Sequence, residues 1–412
     1  MKRSTIQEYL AGLKGKRVAV IGIGVSNTPL IKMLLRAGVK VTACDKKPMS
    51  AFAGLAEELE SLGATLKLGE DYLEDLDFEV IFRTPGMRPD LPQLVAAQQK
   101  GAILTSEMEV FFQVCPCRTI AVTGSDGKTT TTTIIAELLK AAGETVYVGG
   151  NIGKPLLPDV DGMEPGDIAV LELSSFQLMT MDRSPNIAVV TNLAPNHLDV
   201  HKSMEEYIEA KENIFLHQSE QDLLVVNADN EITHGFAGEA QGRVAMFSRL
   251  SEPARGAFLR DGVIWVRNEM HERPVLPVAD ILLPGTHNVE NYMAAITALD
   301  GLVPDPVVRD FAQKFAGVEH RIELVRTLNG VKYYNDSIAS SPSRTIAGLR
   351  SFHQKVILIA GGYDKHIPFD VLGPEIIGHV KELFLTGDTA EKIKAAVENC
   401  PDYLPAALPI TV

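Results

Sequence analysis

The sequence predicts an α/β protein built from three successive domains. Apolar runs of strand length alternate with helical patterns almost throughout, as in parallel sheets joined by crossover helices. Two strands run directly into glycine-bounded turns that open helices, one at Gly22 and one at Gly124, the junction at which open α/β sheets bind phosphates. A chain of 412 residues has room for two or three separate cores.

Composition narrows the function classes. Hydrophobic content of 45% and charged content of 22% are those of an ordinary globular protein. A net charge of −14 with no basic block excludes an extended nucleic-acid interface, while leaving local Lys and Arg for an anionic small molecule. No segment approaches the roughly 20 apolar residues that span a bilayer, and Met1 to Gly12 holds no long apolar run. A cytoplasmic protein with no membrane partner is therefore expected. The cysteines, Cys44, Cys115, Cys117 and Cys400, are too few and scattered for a disulfide framework. Cys115-Pro-Cys117 has no second pair to complete a metal site, so all four read as reduced and structural.

The first domain is assigned to residues 1–105. Arg17 to Ile21 reads as a strand, Pro29 to Ala37 as a helix, and Lys40 to Cys44 as a second strand ending at Asp45. The turn Gly22-Ile-Gly24-Val-Ser26-Asn27 nearly fits a dinucleotide fingerprint, with Asn27 in place of the third glycine. Three readings stand: a ligand-free βα turn, an NAD site, or a nucleoside diphosphate resting on the helix N-terminus. Thr84-Pro85-Gly86, after another strand, would add a second backbone edge.

The second domain, 106–317, carries the strongest signal. In Arg118-Thr-Ile-Ala-Val-Thr-Gly124-Ser-Asp-Gly127-Lys128-Thr129, the glycines let successive N–H groups point inward. Lys128 can then reach β- and γ-phosphates, and the Thr129 hydroxyl can ligate Mg²⁺. Only Ser125 and Asp126 separate Gly124 from Gly127, two residues fewer than in the standard phosphate loop. Glu172 ends the apolar run Ile168 to Leu173, well placed to hold Mg²⁺. After the run Ile187 to Leu193 comes Asn196-His197-Leu-Asp199-Val-His201, two histidines and an acid at the sheet's catalytic edge. Ser203 and Glu206 form a capping box for the next helix, on which Met204, Ile208, Lys211 and Phe215 share a face. Spacing alone favours a snorkelling Lys211 with its ammonium exposed; the alternative is a buried amine reactive toward CO₂. A further strand is expected at Asp222 to Asn227 and an antiparallel appendage at Val244 to Val266. Leu283-Pro-Gly-Thr-His-Asn288-Val-Glu-Asn291 runs into a helix with both amides on one face, suited to an adenine or ribose, or simply to capping.

The third domain, 318–412, follows His320-Arg321 and has strands expected at Lys332 to Asn335, Val356 to Ala360, Leu383 to Thr386 and Leu408 to Val412. Asp336 and Gly361-Gly-Tyr-Asp-Lys365 end two of them at one sheet edge. Because the chain stops on a strand, this domain is expected to be incomplete. Hinge motion is expected near residues 105 and 317.

The short loop Gly124 to Thr130 resembles that of the Mur ligases and folylpolyglutamate synthases, and the segments from Gly22 to Lys365 together resemble the Mur ligases. The N-terminal Gly22 block sets the chain apart from folylpolyglutamate synthases, and the Mg-ATP block sets it apart from an NAD-dependent oxidoreductase. Within the Mur ligases, Gly361 to Lys365 favours the branch that joins D-glutamate to UDP-N-acetylmuramoyl-L-alanine in peptidoglycan precursor synthesis. The D-N-P-R signature of the diaminopimelate- or lysine-adding branch is absent.

The resemblance implies a monomeric ATP-dependent amide ligase working through an acyl phosphate. It implies ATP held by Gly124, Ser125, Asp126, Gly127, Lys128, Thr129, Thr130, Asn288, Asn291, Arg321 and Asp336. It implies the UDP-sugar on Gly22, Gly24, Val25, Ser26, Asn27, Asp45, Lys46, Thr84, Pro85, Gly86 and Asn151, and D-glutamate on His197, Ser340 and Lys365. Two Mg²⁺ would be held, one by Thr129 and Glu172, the other by His197 and a carbamylated Lys211; Lys128, His197, Lys211 and Arg321 would carry catalysis. Two departures from the family pattern stand out. Ile338 replaces a lysine, and a closing S-P-A-x-A-S-F-D-x-F run is missing, so a catalytically weak, ligand-binding fragment is the second expectation.

Overall fold

Four sheets build the molecule in the computed structural model, which describes residues 4–196, 200–318, 322–352, 354–364 and 367–412. Strands β1 (Arg17–Ile21), β2 (Lys40–Asp45), β3 (Thr65–Leu68), β4 (Val80–Phe82) and β5 (Ile103–Thr105) make a parallel sheet of order β3-β2-β1-β4-β5. Its order reverses between β1 and β4, the topological switch point at which such sheets bind ligands. The glycine turn after β1 and Thr84 after β4 face each other there.

The central sheet has nine strands. They are β6 (Arg118–Thr123), β7 (Val146–Gly150), β8 (Ile168–Glu172), β9 (Ile187–Val190), β10 (Leu223–Asn227), β11 (Arg243–Ser248), β12 (Gly256–Arg260), β13 (Val263–Arg267) and β14 (Glu272–Pro277). Their order is β14-β13-β12-β11-β10-β9-β6-β8-β7. β6, β8 and β9 are buried almost end to end because helices cover both faces. The helix Lys128–Ala141 packs against Thr286–Ala298 on one face. The tail corrects the expectation of an antiparallel appendage: β11 and β12 extend the parallel ladder, and the antiparallel pairing is confined to β13 with its neighbours β12 and β14. The strand expected to reach Leu193 stops at Val190, since Thr191 and Asn192 turn away to hold the phosphate loop.

The first two sheets share one apolar cluster, in which Leu30 and Ile31 meet Phe111, Leu157 and Val160. Arg83, fully buried, spans the same junction. Its guanidinium donates to the carbonyls of Pro85 (3.2 Å) and Met87 (3.0 Å), to that of Phe176 (3.3 Å) and to Thr180 Oγ1 (2.6 Å). The C-terminal block has its own core around Leu349, Ile376, Leu383 and Val397. It comprises the hairpin β15 (Glu323–Leu328) and β16 (Val331–Asn335), and the parallel sheet β17 (Val356–Gly361), β18 (Val380–Thr386) and β19 (Ile410–Thr411).

Candidate active site

The phosphate loop leaves β6 and enters the helix Lys128–Ala141 through two glycines with positive φ, Gly124 at 148° and Gly127 at 80°. Both positions are also crowded: a Cβ on Gly124 would lie 2.0 Å from Thr191 Oγ1, and one on Gly127 2.4 Å from Asn291 Oδ1. Only glycine fits where backbone and neighbours approach this closely. Ser125 is buried; its hydroxyl donates to the Ala194 carbonyl (2.9 Å) and pairs with the Tyr207 hydroxyl (3.0 Å). Asp126 N–H donates to Asn192 Oδ1 (3.0 Å). Lys128 Nζ folds back to donate to the carbonyls of Gly124 (2.8 Å) and Ser125 (3.0 Å). Thr129 lies in the first turn of the helix and Thr130 is buried within it.

Lys211 meets this loop from below. It is 1% exposed, which rules out snorkelling. Its Nζ donates to Thr123 Oγ1 (3.0 Å) and the Gly124 carbonyl (3.1 Å) and lies 4.9 Å from the centre of the Tyr207 ring. Burial, and then the nearby Lys128 cation, hold the Lys211 amine well below its ordinary pKa. Burial pushes the Tyr207 phenol up to about 12. His201 is buried beside the same cluster: its Nε2 pairs with Ser175 Oγ at 2.9 Å and its ring stacks on Phe176 at 5.3 Å.

Glu172 ends β8 in register with Val122 on β6, which brings it to the edge that bears the loop. Its Oε1 accepts the Asn151 amide (2.8 Å), and its main-chain carbonyl accepts Asn151 N–H (2.7 Å). Its Oε2 is buried with no donor among the described residues. A buried carboxylate oxygen left unpaired is expensive unless a cation completes it, so this residue fits a divalent metal. Asn288 and Asn291 are buried and brace the loop rather than standing open. The Asn291 amide donates to Asn288 Oδ1 (3.0 Å), its Oδ1 accepts Thr131 Oγ1 (3.1 Å), and the Asn288 amide donates to the Pro284 carbonyl (2.6 Å).

At the N-terminal crevice, Gly22 has φ 92° and a Cβ there would meet Thr84 Cβ at 2.9 Å, so the Thr84 side chain packs directly on the glycine backbone. Asp45 holds the turn: its oxygens accept the N–H groups of Ile23 (2.7 Å) and Lys47 (2.9 Å). Asn27 is buried and its amide donates to the Ile21 carbonyl (3.0 Å), tying the helix start back to β1 without a third glycine. Val25 is 81% exposed and Gly24 is open, so the tip of the turn is free to meet a ligand. Lys46 is exposed beyond it, and Ser26, Pro85 and Gly86 complete the rim.

In the C-terminal block, Asp336 Oδ1 accepts the Ile322 N–H (3.2 Å), and Ser340 lies in the loop before the helix Pro342–Arg350. His197, Asp199, Arg321 and Lys365 lie outside the described residues. The sequence reading missed Arg344, whose Nε donates to Asp126 Oδ1 (2.7 Å) and whose Nη2 donates to the Ser125 carbonyl (3.1 Å). It missed Arg83 as well. Their only sequence signal was a cation beside a proline-containing turn, too common to single out.

A shortened phosphate loop on a central α/β sheet, with a buried lysine beneath it and a second parallel sheet packed in front, defines the Mur ligase class. The Mur ligase middle domain matches residues 122–299. MurF from Acinetobacter baumannii superimposes over 100% of this chain and 90% of its own with a TM-score of 0.61 at 15% identity. The UDP-N-acetylmuramate-alanine ligase of Thermotoga maritima gives 0.58 at 20% identity, over 96% and 90%. At that identity the likeness speaks for the fold alone. The UDP-N-acetylmuramoylalanine-D-glutamate ligase of Acetivibrio thermocellus is 54% identical over 395 residues, 96% of this chain and 85% of that enzyme. That of Clostridium botulinum is 50% identical over 411 residues, 100% and 89%. The chain belongs to the UDP-N-acetylmuramoylalanine-D-glutamate ligase family.

Proposed function

We propose that this protein is an ATP-dependent amide ligase that joins D-glutamate to UDP-N-acetylmuramoyl-L-alanine in cytoplasmic peptidoglycan precursor synthesis. The observation that carries the reading is the convergence of Lys128 and the buried Lys211 on the Gly124 carbonyl, inside a glycine-bounded loop. The Lys128 cation and the inward-pointing N–H groups of this turn prepare it for polyphosphate. ATP lies along Gly124 to Thr130, with Asn288, Asn291 and Asp336 toward its base and ribose and Arg321 on the transferring phosphoryl. The UDP-sugar occupies the crevice between Gly22–Asn27 and Thr84–Gly86, with Asp45 and Lys46 at its rim, and extends past Asn151. D-glutamate is bound by His197, Ser340 and Lys365.

Phosphoryl transfer depends mainly on positioning and charge neutralisation. The γ-phosphoryl moves to the alanyl carboxylate, the D-glutamate amine attacks the acyl carbon, and phosphate leaves with one former carboxylate oxygen. Lys128 moves from the loop carbonyls to the β- and γ-oxygens, and Asn151 holds the acceptor carboxylate near Glu172. Thr129 and Glu172 would hold one Mg²⁺, and His197 with a carbamate on Lys211 the other; bound there, the ions would offset charge on the transferring group. Among the described residues no group of three His, Cys, Asp or Glu converges, so the remaining ligands would be water and nucleotide oxygens. Carbamylation suits Lys211 physically. Burial and the Lys128 cation favour the neutral amine, the form that adds CO₂, and the resulting anion gains an attraction to Lys128.

Phosphate release from Mg-ATP tests the reading, measured with UDP-N-acetylmuramoyl-L-alanine, with and without D-glutamate, in bicarbonate buffer. Release that needs both substrates and disappears in Lys128→Ala is expected. Binding of ATP and the UDP-sugar without release would leave a binding protein in place of a ligase.

A further inference from the structure

Asp126 sets a carboxylate in the middle of the loop that gathers phosphates, where an uncompensated negative charge opposes the ligand. Its backbone is pinned on both sides. The N–H donates to Asn192 Oδ1 (3.0 Å), and the carbonyl accepts Thr191 Oγ1 (2.5 Å) and the Asn192 amide (3.2 Å). The carboxylate meets the first turn of the C-terminal helix Pro342–Arg350. Arg344 Nε donates to Oδ1 (2.7 Å) and Ser343 Oγ to Oδ2 (3.0 Å). Arg344 then uses Nη2 on the Ser125 carbonyl (3.1 Å) and Nη1 on the Ile338 carbonyl (3.3 Å), so one guanidinium bridges the phosphate loop and the loop that carries Ser340. The pair is sheltered, with the Arg344 and Asp126 side chains 17% and 26% exposed, where an ion pair is screened less than at an open surface.

We propose that Asp126 and Arg344 form a charge-compensating latch through which docking of the C-terminal block sets the nucleotide affinity of the phosphate loop. Arg344 is a positioning residue. With the C-terminal helix docked, the loop presents Lys128 and its N–H groups against a neutralised Asp126. With the helix away, the same loop faces the phosphates with a bare carboxylate. ATP binding and docking of the block that binds the amino acid therefore favour each other, and linkage makes the coupling reciprocal. This rests on the reading of Gly124 to Thr130 as the ATP loop.

The test is a calorimetric dissociation constant for Mg-ATP, with the ATP KM in turnover alongside, in the full chain and in Arg344→Ala, Arg344→Lys, Asp126→Asn, Asp126→Asn/Arg344→Ala and Lys128→Ala. Arg344→Ala is expected to weaken ATP binding about tenfold and raise the ATP KM in parallel, as a coupled charge pair does. In the Asp126→Asn background the same substitution is expected to cost less than about twofold, since no charge is left to uncover. Arg344→Lys, which keeps the charge, is expected to recover most of the loss. An equal loss in both backgrounds, or none in the native background, overturns the latch. A native chain that does not bind ATP, or binds it equally well as Lys128→Ala, overturns the ATP-loop reading itself, whereas a Lys128-sensitive chain with uncoupled 126 and 344 overturns the latch alone.

Discussion

Gly127→Ala separates backbone strain from crowding in the phosphate loop. Gly127 has φ 80° and a Cβ there would lie 2.4 Å from Asn291 Oδ1. Gly143, just past the other end of the same helix, has φ 95° with nothing within 4 Å. An alanine at either site carries the left-handed penalty of about 1–2 kcal/mol. At Gly127 the new methyl must also displace the buried Asn291, breaking its bonds with Thr131 and Asn288. Two buried hydrogen bonds at about 0.5–1.5 kcal/mol each put Gly127→Ala about 1–3 kcal/mol below Gly143→Ala. Urea unfolding followed by the fluorescence of Trp265, the single tryptophan and a residue of β13 in the central sheet, reads that difference. The ATP KM should rise about tenfold or more in Gly127→Ala, because loop N–H groups no longer point at the phosphates. Gly143→Ala should leave it unchanged. Equal destabilisation of the two variants, or an unaltered ATP KM in Gly127→Ala, would refute the reasoning.

Two further outcomes follow from buried ionisable groups. Lys211→Met should abolish turnover yet stabilise the ligand-free protein by about 1–3 kcal/mol in bicarbonate-free buffer, because a buried amine gives way to an apolar chain of similar size. No acceptor is orphaned: the Gly124 carbonyl keeps Lys128, and Thr123 Oγ1 keeps donating to the Leu173 carbonyl. A destabilised variant would contradict this. Glu107 is buried, accepts the Leu157 N–H at 2.8 Å, and has its carboxyl pushed up to about 7 by burial. With a folded value above the unfolded one, the folded state holds the proton longer, so this group lowers stability as pH rises from about 4.5 through 7. At about 1.4 kcal/mol per pH unit the full effect is about 3 kcal/mol. The stability gap between the native protein and Glu107→Gln should therefore shift in the variant's favour across that range, and a pH-independent gap would count against the burial argument.

Local pattern carried much of this molecule. The apolar runs ending at Thr123, Glu172 and Asn227 are strands because their residues are buried on both faces, and the glycine spacing at 124 and 127 encodes the turn directly. Pairing partners are less local: nothing in Arg243–Ser248 says that it lies parallel to β10, since periodicity reports burial and not neighbours. Lys211 shows the same limit. Its helix position was legible, but the choice between snorkelling and burial is made by Thr123 and Gly124 closing over it from β6 and the phosphate loop, with Tyr207 of its own helix alongside. Arg83 and Arg344 were illegible for a related reason. Each acts across a junction between sheets, and a contact between residues 126 and 344 leaves no trace in the spacing around either.

The central claim is that the alanyl carboxylate is activated by the γ-phosphoryl of ATP. The most direct measurement labels both oxygens of that carboxylate in UDP-N-acetylmuramoyl-L-alanine with heavy oxygen and weighs the inorganic phosphate released during ligation of D-glutamate. An acyl phosphate predicts one labelled oxygen in each phosphate and one retained in the new amide. Phosphate released without label while the amide forms would contradict the account.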